Sequence, residues 1–180
     1  MRMLAKETVF WPGISKDITL MVANCAPCAE LQPAQQAEPL VSQEARFPMD
    51  QVGTDLFQYG GKDYLATVDR FSGYLWCHRL RRTATEDVTS CMLDIFNNFG
   101  YPRSIYSDNG PQFRKPFKKF CQDIGTVHVT SSPYYPASNG LAESAVKILK
   151  SLLKKCARTG TPFDQALHAW RHLYLSLIHI

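Results

Sequence analysis

The pattern of hydrophobic and polar residues changes several times along the chain, and each change predicts a different kind of element. Near the start, Pro12-Gly13 forms a turn, and apolar residues then recur at helical spacing. A short helix is therefore expected to begin near Lys16, with Ser15 as its cap. From residue 32 the sequence is rich in Pro, Gln, Ala and Glu and shows no periodicity, which is typical of a linker.

Strand patterns follow the linker. Three short segments with tight connections are predicted as strands over Gln51–Phe57, Lys62–Asp69 and Tyr74–Leu80. The middle segment alternates, with Tyr64 and Ala66 on one side and Leu65 on the other. These segments predict an antiparallel meander.

The rest of the chain alternates between helical and strand patterns. Thr85 is expected to cap the first helix, with Phe96 and Phe99 on its apolar face, and Gly100 is expected to end it. The predicted elements are helices over 86–98, 115–124, 142–157 and from 162, and strands over 103–107 and 127–130. This order predicts an α/β fold with a mixed sheet, in which an antiparallel meander adjoins parallel strands and helices flank both.

Composition and charge narrow the class of protein. The chain has 180 residues, 45% hydrophobic and 20% charged, as expected for a globular domain. It has no apolar run of membrane-spanning length and no signal-peptide pattern, so no membrane partner is expected, and its cysteine usage favours a reducing compartment. Residues 1–100 carry 9 Lys and Arg against 12 Asp and Glu, whereas residues 101–180 carry 11 against 4. This basic half suits a phosphate-rich partner, although solubility alone also explains it.

Three acidic residues occupy positions suited to a metal site. Asp55 lies in a predicted strand that otherwise lacks charge, Asp108 follows a predicted strand, and Glu143 lies near the start of the long helix. Strand ends and the loops after them meet at one edge of a parallel sheet, so the three side chains are expected to lie together. Carboxylates suit Mg²⁺, and a pair of such ions can bind the attacking and leaving oxygens of a phosphoryl displacement.

Each of these residues also has a structural interpretation. Glu143 suits the positive end of a helix dipole, and Asp108-Asn109-Gly110 is an ordinary turn sequence. On spacing alone, Asp50, Asp63 and Asp69 are equally good candidates.

Longer motifs favour the catalytic interpretation. TDLF at 54–57, SDNGPQF at 107–113 and HVTSSPYYPASNGLAES at 128–144 together resemble the catalytic core of retroviral-type integrases, above all those of gypsy-type LTR retrotransposons. The upstream run at 9–33, VFWPGISKDITLMVANCAPCAELQP, resembles the end of the zinc-binding module of those proteins.

The resemblance implies a ribonuclease-H-like fold in which Asp55, Asp108 and Glu143 hold Mg²⁺ or Mn²⁺. Members of the family trim the 3′ ends of element DNA and join them to target DNA. The domain organisation expected from it is a truncated, small helical zinc-binding module at 1–31, a linker at 32–45, a catalytic core at 46–160 and a C-terminal helix at 161–175. Residues 176–180 instead resemble translated sequencing-adapter sequence.

The chain departs from the family in two places. Cys25 and Cys28 supply two zinc ligands where structural zinc takes four, and no histidine precedes Cys25, so Zn²⁺ binding is expected only if the missing histidines are supplied. The segment from Asn109 to Ala142 has 34 residues, one fewer than the family usually has. We expect the contraction near residues 113–115, in a loop.

Two lysines are candidates for DNA contacts. Lys147 and Lys150 follow Glu143 at i+4 and i+7, and the resemblance implies that they contact element-end DNA. A solvated helix face with an ordinary Glu–Lys pair is the alternative. The predicted buried stripe on the opposite side consists of Ile148, Leu149, Leu152 and Leu153.

Three amides flank the acidic positions. Asn109, Gln112 and Asn139 are expected to bind DNA or to orient the carboxylates, although turn chemistry explains the two asparagines as well.

The function predicted is that of a DNA integrase, a polynucleotidyl transferase and endonuclease acting on double-stranded DNA at element ends and target sites. A homodimer or higher oligomer is expected by resemblance, with action in the nucleus after passage through the cytoplasm. The alternative is a truncated or domesticated inactive copy that only binds DNA or a protein partner. A cellular ribonuclease H explains the carboxylates but not the SSPYYPASNG and C-x2-C motifs.

Overall fold

The computed structural model describes residues 11–25, 45–130 and 140–178. Within these ranges the chain forms five strands, five α-helices and one turn of 3-10 helix at Pro111–Phe113. In chain order the elements are α1 (Ile14–Ala23), β1 (Gln51–Tyr59), β2 (Lys62–Asp69), β3 (Leu75–Leu80), α2 (Thr85–Phe99), β4 (Ser104–Ser107), α3 (Lys115–Asp123), β5 (Val127–Thr130), α4 (Gly140–Thr159) and α5 (Phe163–Ile178).

The strands form one mixed sheet in the order β3-β2-β1-β4-β5. Strands β1, β2 and β3 pair antiparallel, whereas β1, β4 and β5 pair parallel, which confirms the predicted sheet. Gly60 and Gly61 connect β1 to β2 with φ angles of 57° and 70°, which glycine adopts without steric cost.

The two faces of the sheet have different roles. One face packs Val52, Leu65 and Trp76 against α2 and α3, and this layer contains the main hydrophobic core. Strand alternation places Gly53 and Asp55 on the other face, where α4 packs. The apolar core therefore lies on the face opposite the candidate carboxylates.

Thr85 does not cap α2 as predicted. It is the first residue of the helix, which has no side-chain cap, and its hydroxyl donates instead to the carbonyl of Gln112 at 2.9 Å. The hydroxyl therefore joins the start of α2 to the loop that follows Asp108. The predicted end is right, since Gly100 follows the helix with φ 91° and donates to the carbonyl of Phe96.

The buried stripe of α4 differs from the prediction. Leu149 is buried as expected, but Ile148 and Leu152 are only half-buried. The helix meets the sheet through small residues near its start, and this shifts the buried face. The buried residues of this helix are Ala142, Ala145, Val146, Leu149 and Leu153. In α2, Phe99 is likewise not a core residue, since it is 50% exposed, although its ring packs against those of Trp76 and Tyr74.

The chain divides into two compact units. The larger is Pro39–Lys150, which contains the sheet, and the other combines Met1–Glu38 with Ser151–Ile180. Helix α1 begins at Ile14, two residues before the predicted start, and α5 continues to Ile178, through part of the segment compared with adapter sequence. None of the helices in the described ranges has both the length and the apolar character needed to cross a membrane.

An ion pair between a buried carboxylate and a partly exposed arginine joins the residues just before β1 and β4. Asp50 is fully buried, and Arg103 Nε lies 2.8 Å from its Oδ1. The backbone amide of Ser104 also donates to the carbonyl of Asp50, and that of Arg46 to its carboxylate. These contacts fix the start of β1 against the start of β4.

We predict that Arg103→Gln lowers the free energy of unfolding by about 2 kcal/mol, because the buried Asp50 carboxylate then loses its charge-assisted contact with the half-exposed arginine. The exposed pair Arg82–Asp87 provides the control, since Arg82→Gln should lower it by less than about 1 kcal/mol. Urea denaturation of both variants measures the difference. Equal losses of unfolding free energy in the two variants would contradict a special role for the Asp50–Arg103 pair.

Candidate active site

The register of the parallel strands places two aspartates side by side. Strand β1 pairs with β4 as Gln51 with Ser104, Val52 with Ile105 and Gly53 with Tyr106. Continued by two residues, this register sets Asp55 opposite Asp108. Residues 53 positions apart in the sequence are thus neighbours at one edge of the sheet.

Helix α4 brings the third carboxylate to the same face. A Cβ atom on Gly53 would lie 3.5 Å from Ala142 Cβ and 3.2 Å from Val68 Cγ1. The missing side chain of Gly53 therefore lets the first turn of α4 approach the strand closely. Glu143 follows Ala142 directly, and Asp55 lies two residues beyond Gly53 on the same face of β1. This close packing accounts for the proximity of the two carboxylates.

The three carboxylates interact electrostatically. Burial, and then the charges of Asp108 and Glu143, raise the pKa of Asp55 to about 6. The backbone amide of Leu56, which donates to Asp55 Oδ1 at 2.8 Å, and the ammonium of Lys150 act in the opposite direction. Asp55 therefore lies in a partly desolvated, negative environment that favours a proton or a cation.

Hydrogen bonds orient the loop at Asp108. The amide of Gly110 donates to Asp108 Oδ1 at 3.1 Å. On the backbone side, the hydroxyl of Ser107 donates to the carbonyl of Asp108 and lies 2.8 Å from His128 Nε2. The Ser107 hydroxyl has one proton, which it donates to the Asp108 carbonyl, so Nε2 of His128 must be the donor in its contact with Ser107. Burial, with the nearby Lys118, lowers the pKa of His128 to about 4, so the imidazole is neutral.

The other acidic candidates have structural partners. Asp50 pairs with Arg103 as described above. Asp69 is buried and accepts from the amides of Met49 and Ser72. Asp63 accepts from the side-chain amide of Gln58. The structure thus distinguishes Asp50, Asp63 and Asp69 from Asp55 and Asp108, a distinction that the spacing in the sequence did not allow.

The carboxylates fit a divalent metal chemically but do not form a complete ligand set. Among the described residues, no three His, Cys, Asp or Glu side chains lie close enough together to bind a metal ion. Asp55, Asp108 and Glu143 nevertheless supply the oxygen donors that Mg²⁺ prefers, and a cation would offset their mutual repulsion.

The two candidate lysines have different surroundings. Lys147 is exposed, as predicted. Lys150 is half-buried, and its Nζ lies 5.9 Å from the centre of the Phe57 ring, against the sheet face that bears Asp55. Lys150 is thus less exposed than an outward-facing lysine and lies on the face of Asp55, whereas its contact with DNA stays a prediction.

The remaining candidates are only partly described. Asn109 is exposed beside a cavity of about 400 Å³, and the side-chain amide of Gln112 covers Gly110 so closely that a Cβ there would overlap it. Gln112 thus shapes the Asp108 loop, a role compatible with orienting the carboxylate. Cys25 is half-buried and not in a disulfide, whereas Cys28 and Asn139 lie outside the described residues.

Comparison with known proteins points to one family. A family model described as the integrase core domain matches residues 46–136. An uncharacterized protein of Caenorhabditis elegans is 32% identical over 99% of this chain, and the Gag-Pro-Pol polyprotein of Mason-Pfizer monkey virus is 32% identical over 64% of it. The chain spans only 14% and 7% of their respective lengths.

A solved structure gives the same result for the fold. The solved structure is that of the HTLV-2 integrase catalytic core domain in complex with magnesium, in a dimeric form. The match covers 71% of this chain and 87% of the HTLV-2 chain, with a TM-score of 0.55 and 25% sequence identity. The five-stranded mixed sheet with flanking helices thus has the ribonuclease-H-like architecture of integrase cores.

We predict that Asp55→Asn stabilises the metal-free protein at pH 7. The pKa of Asp55 is about 6 in the folded state and 3.8 ordinarily, so the folded state holds the proton more tightly. The contribution of Asp55 to the free energy of unfolding is therefore fully present below pH 3.8 and is lost as the pH rises through 6. Removing the charge should raise the free energy of unfolding at pH 7 by about 1 kcal/mol, a figure reduced for partial exposure.

Urea denaturation in EDTA, at pH 7 and below pH 3.8, measures this effect. Asp94→Asn, which removes an exposed carboxylate from the interior of α2, away from the helix ends, is the matched control and should give no gain. Destabilisation by Asp55→Asn at both pH values would contradict the interpretation.

We further predict that Gly53→Val separates α4 from the sheet. The added side chain overpacks the contact with Ala142, at a cost of about 1–3 kcal/mol in unfolding free energy, and Gly53→Ala should cost less. As Glu143 withdraws, the pKa of Asp55 should fall toward its ordinary value. An NMR titration of the Asp55 carboxyl measures this shift, and an unchanged pKa would refute the link.

Proposed function

The chain belongs to the integrase core domain family, and we propose that it cleaves and joins DNA ends as a metal-dependent polynucleotidyl transferase. The proposal is supported by the geometry around Asp55: the β1–β4 register runs toward Asp108, and the first turn of α4, which carries Glu143, packs against the same face of β1. The charges of Asp108 and Glu143 contribute to the raised pKa of Asp55. Asp50 and Asp69 differ from Asp55 in being buried and held by distant partners: Asp50 pairs with Arg103, and Asp69 accepts from the amide of Met49.

Asp55, Asp108 and Glu143 would hold Mg²⁺ or Mn²⁺. A metal bound there would supply positive charge that activates a water or 3′-hydroxyl and stabilises the phosphorus oxygens. Asp55 must be ionised to act as a ligand, and Lys150 favours that form. Ser107 and Gly110 orient Asp108. Lys147, exposed on the next turn of the helix after Glu143, would bind a DNA phosphate.

The proposed substrate is double-stranded DNA. The likeness to a retroviral polyprotein supports 3′-end trimming of element DNA followed by strand transfer into target DNA. A dimer is proposed by analogy with the dimeric HTLV-2 core. Chromosomal DNA as the target implies action in the nucleus. Zn²⁺ binding through Cys25 and Cys28 stays a prediction that requires further ligands.

We predict that Asp108→Asn abolishes metal-dependent cleavage and joining. Losing a first ligand should lower the rate by more than the roughly hundredfold cost of losing an outer contact. A labelled element-end duplex and a branched disintegration substrate, each with Mn²⁺ or Mg²⁺, measure the activity of the full chain. Asp123→Asn is the charge-matched control and should retain the parent rate.

A thermal-shift measurement tests the metal separately from the chemistry. Mn²⁺ should raise the Tm of the parent and of Asp123→Asn, but not that of Asp108→Asn. Equal activity of parent and Asp108→Asn would contradict the proposal. DNA binding without metal and with no cleavage is the result expected of an inactive copy.

A further inference from the structure

A second basic site lies at the end of the β1–β2 hairpin. A cavity of about 540 Å³ is lined there by Gly61, Lys62, Asp63, Arg79, Leu80 and Arg81, and we call it the hairpin cavity. Lys62, Arg79 and Arg81 are exposed. The two ion pairs formed within the described ranges, Arg82–Asp87 and Arg103–Asp50, use none of these three cations. None of the three was a candidate from the sequence.

The register of the sheet relates this cavity to the carboxylates. Asp55 and Phe57 alternate onto one face of β1, and Phe57 pairs with Tyr64, whose ring stacks on it at 5.2 Å. Tyr64 pairs in turn with Arg79 across β2 and β3. Directly paired residues share a face, so Arg79 lies on the same face as Asp55.

The spacing suits a nucleic acid strand. Two inter-strand steps of about 4.8 Å, with two residues' rise of about 3.3 Å each, separate Asp55 from Arg79 by about 12 Å. Phosphates on one DNA strand recur about every 3.4 Å along the duplex axis and also wind around it, so this distance corresponds to roughly two nucleotides. Lys150, above the Phe57 ring, adds a cation between the two ends of this path.

The charges of the cavity favour an anion. The only acidic lining residue is Asp63, and Gln58 Nε2 already donates to its carboxylate at 3.1 Å. Two arginines present forked donors, which match phosphate oxygens better than a lysine does. Lys62 adds a third positive charge.

From this arrangement we infer that the hairpin cavity binds a backbone phosphate of the DNA strand held at the carboxylates, about two nucleotides from the reacting bond. The inference rests on the proposed function. It adds a protein–phosphate contact that fixes the direction in which the DNA strand runs away from the carboxylates. The contact is independent of base sequence, because no base edge is involved.

The salt dependence of DNA binding tests this inference. Fluorescence anisotropy of the full chain with a short labelled duplex, between about 50 and 200 mM salt, gives the slope of log K against log salt. Arg79→Gln with Arg81→Gln should reduce the slope by about 0.9, the contribution of one lost phosphate contact. Lys16→Gln with Lys119→Gln removes the same charge from exposed positions elsewhere and should leave the slope unchanged.

Further variants separate the alternatives. Arg79→Lys with Arg81→Lys keeps the charge and should restore the slope, which excludes misfolding as the cause. Asp108→Asn should retain the full slope while losing activity, so a failure of the catalytic proposal can be told from a failure of this one. An unchanged slope in the double glutamine variant, or an equal loss in the control pair, would overturn the inference. So would NMR evidence that inorganic phosphate fills the cavity without competing with DNA.

Discussion

The parallel pairing of β1 with β4 is the constraint on which the site depends. Its register is held where the strands begin, by the Asp50–Arg103 pair and the Ser104 amide. A slip by one residue would turn either Asp55 or Asp108 to the opposite face, which is filled by the hydrophobic core. The ion pair therefore affects the candidate site indirectly, because it helps to fix the register that sets Asp55 opposite Asp108.

The strand that carries Asp55 separates two environments. Its inward side packs against α2 and α3 and supplies the rigidity that a preorganised site needs. Its other side is covered by α4, through small residues at Ala142 and Ala145. The helix thus brings its first acidic residue, Glu143, near the strand, and its Lys150 lies over the Phe57 ring on the same face.

The bounds of the helices and strands were largely predictable from the sequence, whereas the contacts between residues far apart in the chain were not. Alternation identified β2 and β5 with the bounds they have, because strand periodicity is local. The tight approach of Gly53 to Ala142 joins residues far apart in the chain, and no local pattern encodes it. The same holds for His128 against Ser107 and for the hairpin cavity. The motif resemblance selected Asp55, Asp108 and Glu143, whereas spacing alone left Asp50 and Asp69 as equal candidates, and the structural partners of these two are what set them apart.

The raised pKa of Asp55 has an evolutionary consequence. A carboxylate that is partly desolvated and faces two like charges opposes folding at neutral pH. Stability alone would favour almost any neutral residue of similar size at this position. In a lineage released from the need for the reaction, substitution of Asp55 is therefore a direct route to a more stable fold. Under the proposed function, drift away from aspartate at this position would accordingly be an early mark of copies that have lost that activity.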